Sequence, residues 1–475
     1  MLSVRSRRFL TAITMLWYGA IFAAEAEDDP RVPKPNIIFI MADDQGWGDL
    51  GCYGSPELQT PNLDQMAREG IRFTDCYSGS AVCAPTRCVL MTGMHPGHAT
   101  RRDNTAKASF DEFEGRPLVP LSPSDVTVAA ALKSAGYQTG GFGKWGLGNP
   151  GSTGSPDLHG FDDFFGYLDQ VHAHDYYTDH LVRNGGETVT LKGNENGKRQ
   201  VYSHDVIFDE SLDFVREHQR SPFFLYLPIC LPHGEYEIPS DAPYSGKSWP
   251  QSVKNYAAMI GRIDRDVGRL IALLKELGID KNTIVFYTSD NGPNSRFIKP
   301  LKSAGPFRGI KRQLREGGLR APMIVRWPGK VPAGKTSPFV WGHVDFFATA
   351  CDIARASAPE KTDGVSVLPT LLGKTQTPRP PLYWEIYSPF QQAVRLGQWK
   401  GFRNGTKEPL ELYHLAEDPG ERENLATQNP KIVRQIETVM NTSHRPSRFW
   451  PTVAKPSQKK RKGNKKTKGT PGLKN

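Results

Sequence analysis

The chain has 475 residues, 38% of them hydrophobic and 23% charged, with only six cysteines. That composition excludes a collagen-like or low-complexity chain and a small disulfide-framed domain, and the length allows one large core with a smaller one appended. The formal charge of +10 sits in the ends, because residues 455–475 hold eight Lys and one Arg without an acid, and the body is close to neutral.

Taken in chain order, Arg5, Arg7 and Arg8 precede an apolar stretch from Phe9 to Ala24 and then Ala24-Glu25-Ala26. This reads as a secretory signal peptide over residues 1–26, with an uncleaved short anchor as the alternative. It places the mature protein outside the cell or in a periplasm. The body opens with the unbroken apolar run Asn36–Ala42, a strand buried on both faces and ending in Asp43-Asp44. Thr60 and Pro61 mark the N-cap and first turn of a helix that Gly70 closes. Helices are expected over Val126–Ala135 and Tyr256–Leu277, each ending before a glycine. Further buried strands are expected at Pro222–Leu227, Thr283–Ser289 and Ala321–Val325. Residues 93–123 and 145–205 read as long, Gly- and Pro-rich loops able to wall a cleft.

This alternation predicts an α/β fold, a large mixed and mostly parallel sheet sandwiched by helices, over residues 27–374. From about residue 375 the pattern changes to short strands in hairpins at Leu382–Tyr387, Gln392–Leu396, Trp399–Arg403 and Glu411–Tyr413, then a helix from Pro430 to Met440. That predicts a smaller C-terminal antiparallel sheet plus helix over 375–450. The basic tail, 451–475, has almost nothing apolar to pack and reads as disordered. It suits an anionic polymer or a membrane surface, with nucleic acid the weaker partner behind an export signal.

Two acid-tipped strands carry the first chemical signal. In open α/β sheets ligands bind beyond the carboxyl ends of the strands, where Asp43, Asp44, Asp290 and Asn291 all fall. Three carboxylates and an amide oxygen suit a hard cation, Ca²⁺ first and Mg²⁺ second; the alternative is that these residues only cap loops. Cys83 stands just before a short helix, where a nucleophile gains from the helix's positive end; alone, a cysteine there reads first as a buried thiol. The cysteines show no Cys-x-x-Cys zinc pattern. Gly141-x-Gly143-x-x-Gly146 spells a dinucleotide fingerprint, but no amphipathic helix follows it.

Cys83-Ala84-Pro85-Thr86-Arg87 with Thr92-Gly93 resembles the signature of the formylglycine-dependent sulfatases, alkaline-phosphatase-like enzymes that include arylsulfatase-like and N-acetylgalactosamine-sulfatase-like members. Gly143-Lys144-Trp145-Gly146-Leu147-Gly148, Asp290-Asn291-Gly292, Arg308-Gly309-Ile310-Lys311 with Glu316–Pro322, and Glu411-Leu412-Tyr413 through Leu425 resemble later blocks of that family in the same order. The resemblance implies hydrolysis of sulfate monoesters on a sulfated carbohydrate. It implies that a formylglycine-generating enzyme converts Cys83 to 3-oxoalanine, whose hydrate attacks sulfur, and that the sulfated diol then expels sulfate by losing its second hydroxyl proton. By position it implies Ca²⁺ on Asp43, Asp44, Cys83, Asp290 and Asn291, with Arg87 orienting the nucleophile and Lys144 and Lys311 on the sulfate. His233 falls to the general acid. One position departs, since Gly146 replaces a family histidine that is a candidate base for the elimination. His172 and His174 are the expected substitutes. A phosphonate or phosphate monoester hydrolase and a non-catalytic binder of sulfated glycans are the alternative functions.

Overall fold

The computed structural model describes residues 33–105, 111–113 and 116–452. The signal peptide and the basic run of 455–475 lie outside the described residues. Ten strands build the main sheet: β1 (Asn36–Ala42), β2 (Ile71–Phe73), β3 (Gln138–Lys144), β4 (Asp163–Tyr167), β5 (His180–Arg183), β6 (Glu187–Thr190), β7 (Phe223–Pro228), β8 (Thr283–Ser289), β9 (Met323–Arg326) and β10 (Lys335–Ser337). Their order is β10-β2-β9-β8-β1-β7-β3-β4-β5-β6. The central run β8-β1-β7-β3-β4 is parallel throughout, and antiparallel pairs appear only toward the edges.

Side-chain alternation along β1 shows why the sheet is a middle layer. Ile37, Phe39 and Met41 pack with apolar residues of α2 (Cys83–Thr92), α3 (Val128–Ser134) and α6 (Phe346–Ala354). Ile38, Ile40 and Ala42 face those of α1 (Pro61–Arg68), α4 (Ser203–His218) and α5 (Gln251–Glu276). A strand with helices over both faces has no polar side, hence the unbroken apolar run. Thr127 caps α3 as its position suggests, accepting from Ala130 N at 3.1 Å. Thr60 does not cap α1; its hydroxyl accepts from Gly51 N at 2.9 Å and donates to Asp64 at 3.1 Å.

The expected loop 145–205 contains β4, β5 and β6, which extend the sheet on one side. These strands are short, and β6 is mostly exposed, so no apolar run announces them. The C-terminal part is a four-stranded antiparallel sheet, β11 (Leu382–Tyr387), β12 (Phe390–Leu396), β13 (Trp399–Asn404) and β14 (Glu411–His414), backed by α7 (Pro430–Ser443). Its other face shares a core with the segment around α2. Leu382, Trp384, Ile386 and Phe402 pack with Tyr77, Val82 and Val89. Trp384 Nε1 donates to Ser78 O at 2.9 Å. Among the described residues no helix is long and apolar enough to cross a membrane.

Candidate active site

Parallel register brings the two acid-tipped strands side by side, with Ala42 opposite Ser289. The ladder runs one step further, Asp290 N donating to Ala42 O at 3.0 Å, and Asp44 N then donates to Asp290 Oδ1 at 3.0 Å. Asp44 has a φ of 65°, a strained conformation for a non-glycine residue that turns the chain back toward Asp290. Asn291 Nδ2 donates to Asp44 Oδ1 at 2.7 Å, while its Oδ1 is buried without a hydrogen-bond partner.

Cys83 is the first residue of α2, all ten of whose residues are buried. Its thiol lies 3.3 Å from Asp43 Oδ1 and 3.5 Å from Lys311 Nζ. The helix start was expected to favour a thiolate. Burial, together with the Asp43 charge, instead pushes the thiol far up, so at neutral pH the sulfur is an inert SH.

Three cations knit the acids together. Lys144, at the end of β3, puts Nζ 2.6 Å from Asp43 Oδ2. Arg87, one turn beyond Cys83, reaches Asp43 at 3.1 Å and Asp290 at 3.3 Å. Lys311 Nζ stands 2.7 Å from Asp44 Oδ1. Burial alone would raise the Asp43 carboxyl, but Lys144, His233, Arg87 and Lys311 hold it well below the usual range. Asp290, with fewer cations about it, is pushed up to about 7 by burial and by the Asp43 charge.

The metal test is met by the donor set. Asp43, Asp44, Cys83 and His233 offer ligand atoms within 4.8 Å of one another. Beside them Asn291 Oδ1 is an acceptor without a donor, the kind of atom a hard cation satisfies.

The site opens into a cavity of about 530 Å³ lined by Asp44, Cys83, His174, His233 and Lys311. His233 Nδ1 hydrogen-bonds Gly234 O at 2.8 Å, which leaves Nε2 to accept from Lys311 Nζ at 3.0 Å. Burial and Lys311 lower its pKa to about 4. The two histidines expected in place of residue 146 part company. His174 stacks on His233, ring centroids 4.3 Å apart, and faces the cavity. His172 turns away, its Nε2 2.7 Å from Thr178 Oγ1 and its ring against Tyr167 and His180.

Several cavity residues carried no signal in the sequence. Gln170, Arg296 and Arg312 line it, and Asn104 Oδ1 accepts from Ala84 N at 3.0 Å, fixing the first turn of α2. Arg312 follows Lys311 with a φ of 74°, an unusual backbone for a charged residue that only coordinates reveal.

A buried nucleophile position ringed by acids and cations at one mouth is an arrangement for transferring a compact oxyanion. Family comparison says which. The sulfatase model matches residues 35–356, and that for the C-terminal part of N-sulphoglucosamine sulphohydrolase matches residues 309–445. N-acetylgalactosamine-6-sulfatase of Canis lupus familiaris is 34% identical, over 82% of this chain and 81% of that protein. N-acetylgalactosamine-6-O-sulfatase of Bacteroides thetaiotaomicron is 31% identical, over 86% and 93%. The crystal structure of Ps i-CgsB in complex with k-i-k-neocarrahexaose matches with a TM-score of 0.77 at 27% identity, over 88% of this chain and 95% of that one. The chain belongs to the sulfatase family, within the alkaline-phosphatase-like fold, and is a sulfuric ester hydrolase.

Proposed function

We propose that the protein hydrolyses sulfate monoesters on a sulfated carbohydrate, with Ca²⁺ held by Asp43, Asp44, Asp290 and Asn291 and with Cys83 matured to formylglycine. The convergence of Asp43 and Lys311 on the Cys83 sulfur carries this reading. The substrate class is supported by the relatives, two named for an N-acetylgalactosamine sulfate and one solved with a carrageenan oligosaccharide. Bound, the cation supplies charge neutralisation, and the formylglycine hydrate supplies the attacking hydroxyl.

The remaining work falls to side chains already described. Arg87 fixes Asp43 and Asp290 so that their carboxylates face Cys83. Lys144, 2.6 Å from Asp43, and Lys311, 3.5 Å from the Cys83 sulfur, neutralise sulfuryl oxygens, as pre-set cations do in a water-poor site. His233, held by Lys311 at 3.0 Å, takes a proton from solvent and delivers it from Nε2 to the departing alcohol. His174, with no hydrogen bond from a described residue to its ring and a pKa drawn down to about 3 by burial and His233, stays neutral and is the proton acceptor we assign to the elimination. An exported location follows from the reading of residues 1–26.

The test is mass spectrometry of the peptide holding Cys83, which should show exchange of H₂S for O, followed by sulfate release from a panel of sulfated sugars with and without chelator. Protein verified as formylglycine that releases no sulfate from any of them would overturn the proposal.

A further inference from the structure

Gly146 has a consequence beyond the missing histidine. It lies in a left-handed conformation, φ 74°, and a Cβ built on it would come within 1.7 Å of Gln170 Nε2. Two backbone bonds that prolong the β3–β4 ladder produce the overlap, Trp145 N to Tyr167 O at 2.8 Å and Gly146 N to Leu168 O at 3.0 Å. The turn behind Gln170 is locked by Asp169 Oδ1, which accepts from Val171 N at 2.7 Å and His172 N at 3.0 Å. The Gln170 amide thus fills the space that a side chain at 146 would need. Its Nε2 is buried and has no hydrogen-bond partner, a costly state that calls for a ligand or an explanation.

On the far side of Gln170 is a second cavity, about 230 Å³, with Gly146 and Gly148 in its wall. Gln170 lines both this cavity and the one that holds Cys83. The second cavity also has Arg101 in its wall, 2% exposed. Arg101 donates to Val119 O at 3.2 Å and Asn104 O at 2.8 Å, while its Nε has no partner. Asp103 and Asp169 are near enough to feel the charge and partly offset burial, which still draws the Arg101 pKa down to about 10.

We propose that this second cavity is a subsite for the sugar unit next to the one that loses sulfate, entered past the Gln170 amide and suited to a unit bearing an oxyanion, sulfate or carboxylate. The volume admits one ring rather than a chain. Gln170 supplies a hydrogen bond at the boundary and Arg101 the positive wall. This rests on the sulfated-carbohydrate reading above. A side chain at 146 would be strained at that φ and would displace the Gln170 amide from the boundary, which links the departure from the family motif to the subsite.

The experiment compares kcat/KM on a sulfated monosaccharide with that on disaccharides whose neighbouring unit is sulfated, carboxylated or neutral. Wild type should favour the anionic disaccharides, and whichever oxyanion gains more identifies the preferred group. Gln170→Ala and, independently, Ser152→Trp, which fills the cavity, should each lower the disaccharide-to-monosaccharide ratio by about tenfold or more. A wild-type preference for the neutral neighbour, or a ratio that neither variant moves, overturns the subsite. Wild type inactive on every sulfate ester would instead sink the parent reading.

Discussion

Two buried ionic clusters involve residues in or near α2, and they differ in what they face. Behind it, Glu316 meets Lys400 at 2.8 Å, Arg320 at 2.5 Å and Tyr77 OH at 2.9 Å, while Lys400 also reaches Glu421 at 3.2 Å. Burial opposes the Glu316 charge, yet Lys400, Arg320 and Arg395 hold its pKa at about 2. In front, Asp43, Asp44 and Asp290 face Arg87, Lys144 and Lys311 around an unpartnered amide oxygen and an open cavity. The first cluster ties Glu316 to β13, in the C-terminal sheet, through Lys400. The second holds charge in readiness for something absent from its own side chains. Each leaves an oxygen without a hydrogen bond, Asn291 Oδ1 in front and Glu421 Oε1 behind. A buried charge network is therefore read by whether it opens on a cavity, not by how many charges it holds.

The sharpest way to break that contrast is to attack the front cluster. Cys83→Ala should reduce sulfate release by roughly 10³-fold or more while the melting temperature moves little, measured on protein with confirmed mass. Equal losses of activity and stability would merge the two clusters into one structural network. The rear cluster should respond in the opposite way. Glu316→Gln should destabilise the fold by about 3–5 kcal/mol in denaturant titration, because it leaves buried cations short of a partner.

The rear cluster also has a pH signature. Glu316 has a folded pKa of about 2 against an ordinary glutamate value of 4.5. Its stabilisation is thus complete above pH 4.5 and lost as pH falls through the folded value, and Glu316→Gln should flatten the stability curve within that window. Chelation should affect the front alone. It should abolish turnover and lower apparent stability by about 2.7 kcal/mol where Ca²⁺ had been present at a hundredfold its Kd, with both restored on adding Ca²⁺ back. The smallest contrast separates the two neighbouring histidines. His174→Ala should cost about 10²-fold in kcat, whereas His172→Ala should stay within about twofold.

The two acid-tipped strands and the nucleophile helix were legible because their signals are local. An apolar run ending in acids, or a cysteine two residues before a helix-starting proline, needs no knowledge of the rest of the chain. That Asp43, Asp44, Asp290 and Asn291 meet at the ends of β1 and β8 follows from parallel register alone. What stayed hidden depends on pairings between distant segments. The outer strands β5 and β6 are half-exposed and short, so they passed for loop. His172 and His174 sit in one turn two residues apart, and only the packing of Tyr167 and His233 decides which ring faces Cys83. Gln170 gave no signal, because its meaning comes from an absent side chain at Gly146. Glu316 was legible as part of a block, but its structural duty appears only once Lys400 is beside it.

The shared core behind α2 also sets a timetable. Val82 and Val89 are covered by strands that follow them by about three hundred residues in the chain, Trp384 and Phe402 among them. Contacts of such separation form late, since the intervening loop must close first. During synthesis the cover over Val82 and Val89 is therefore incomplete until the C-terminal strands have been made. Once the last strands dock, Val82 and Val89 are covered, and Cys83, 1% exposed, is reached only through the cavity. The maturation proposed for Cys83 would have its widest opportunity before that point.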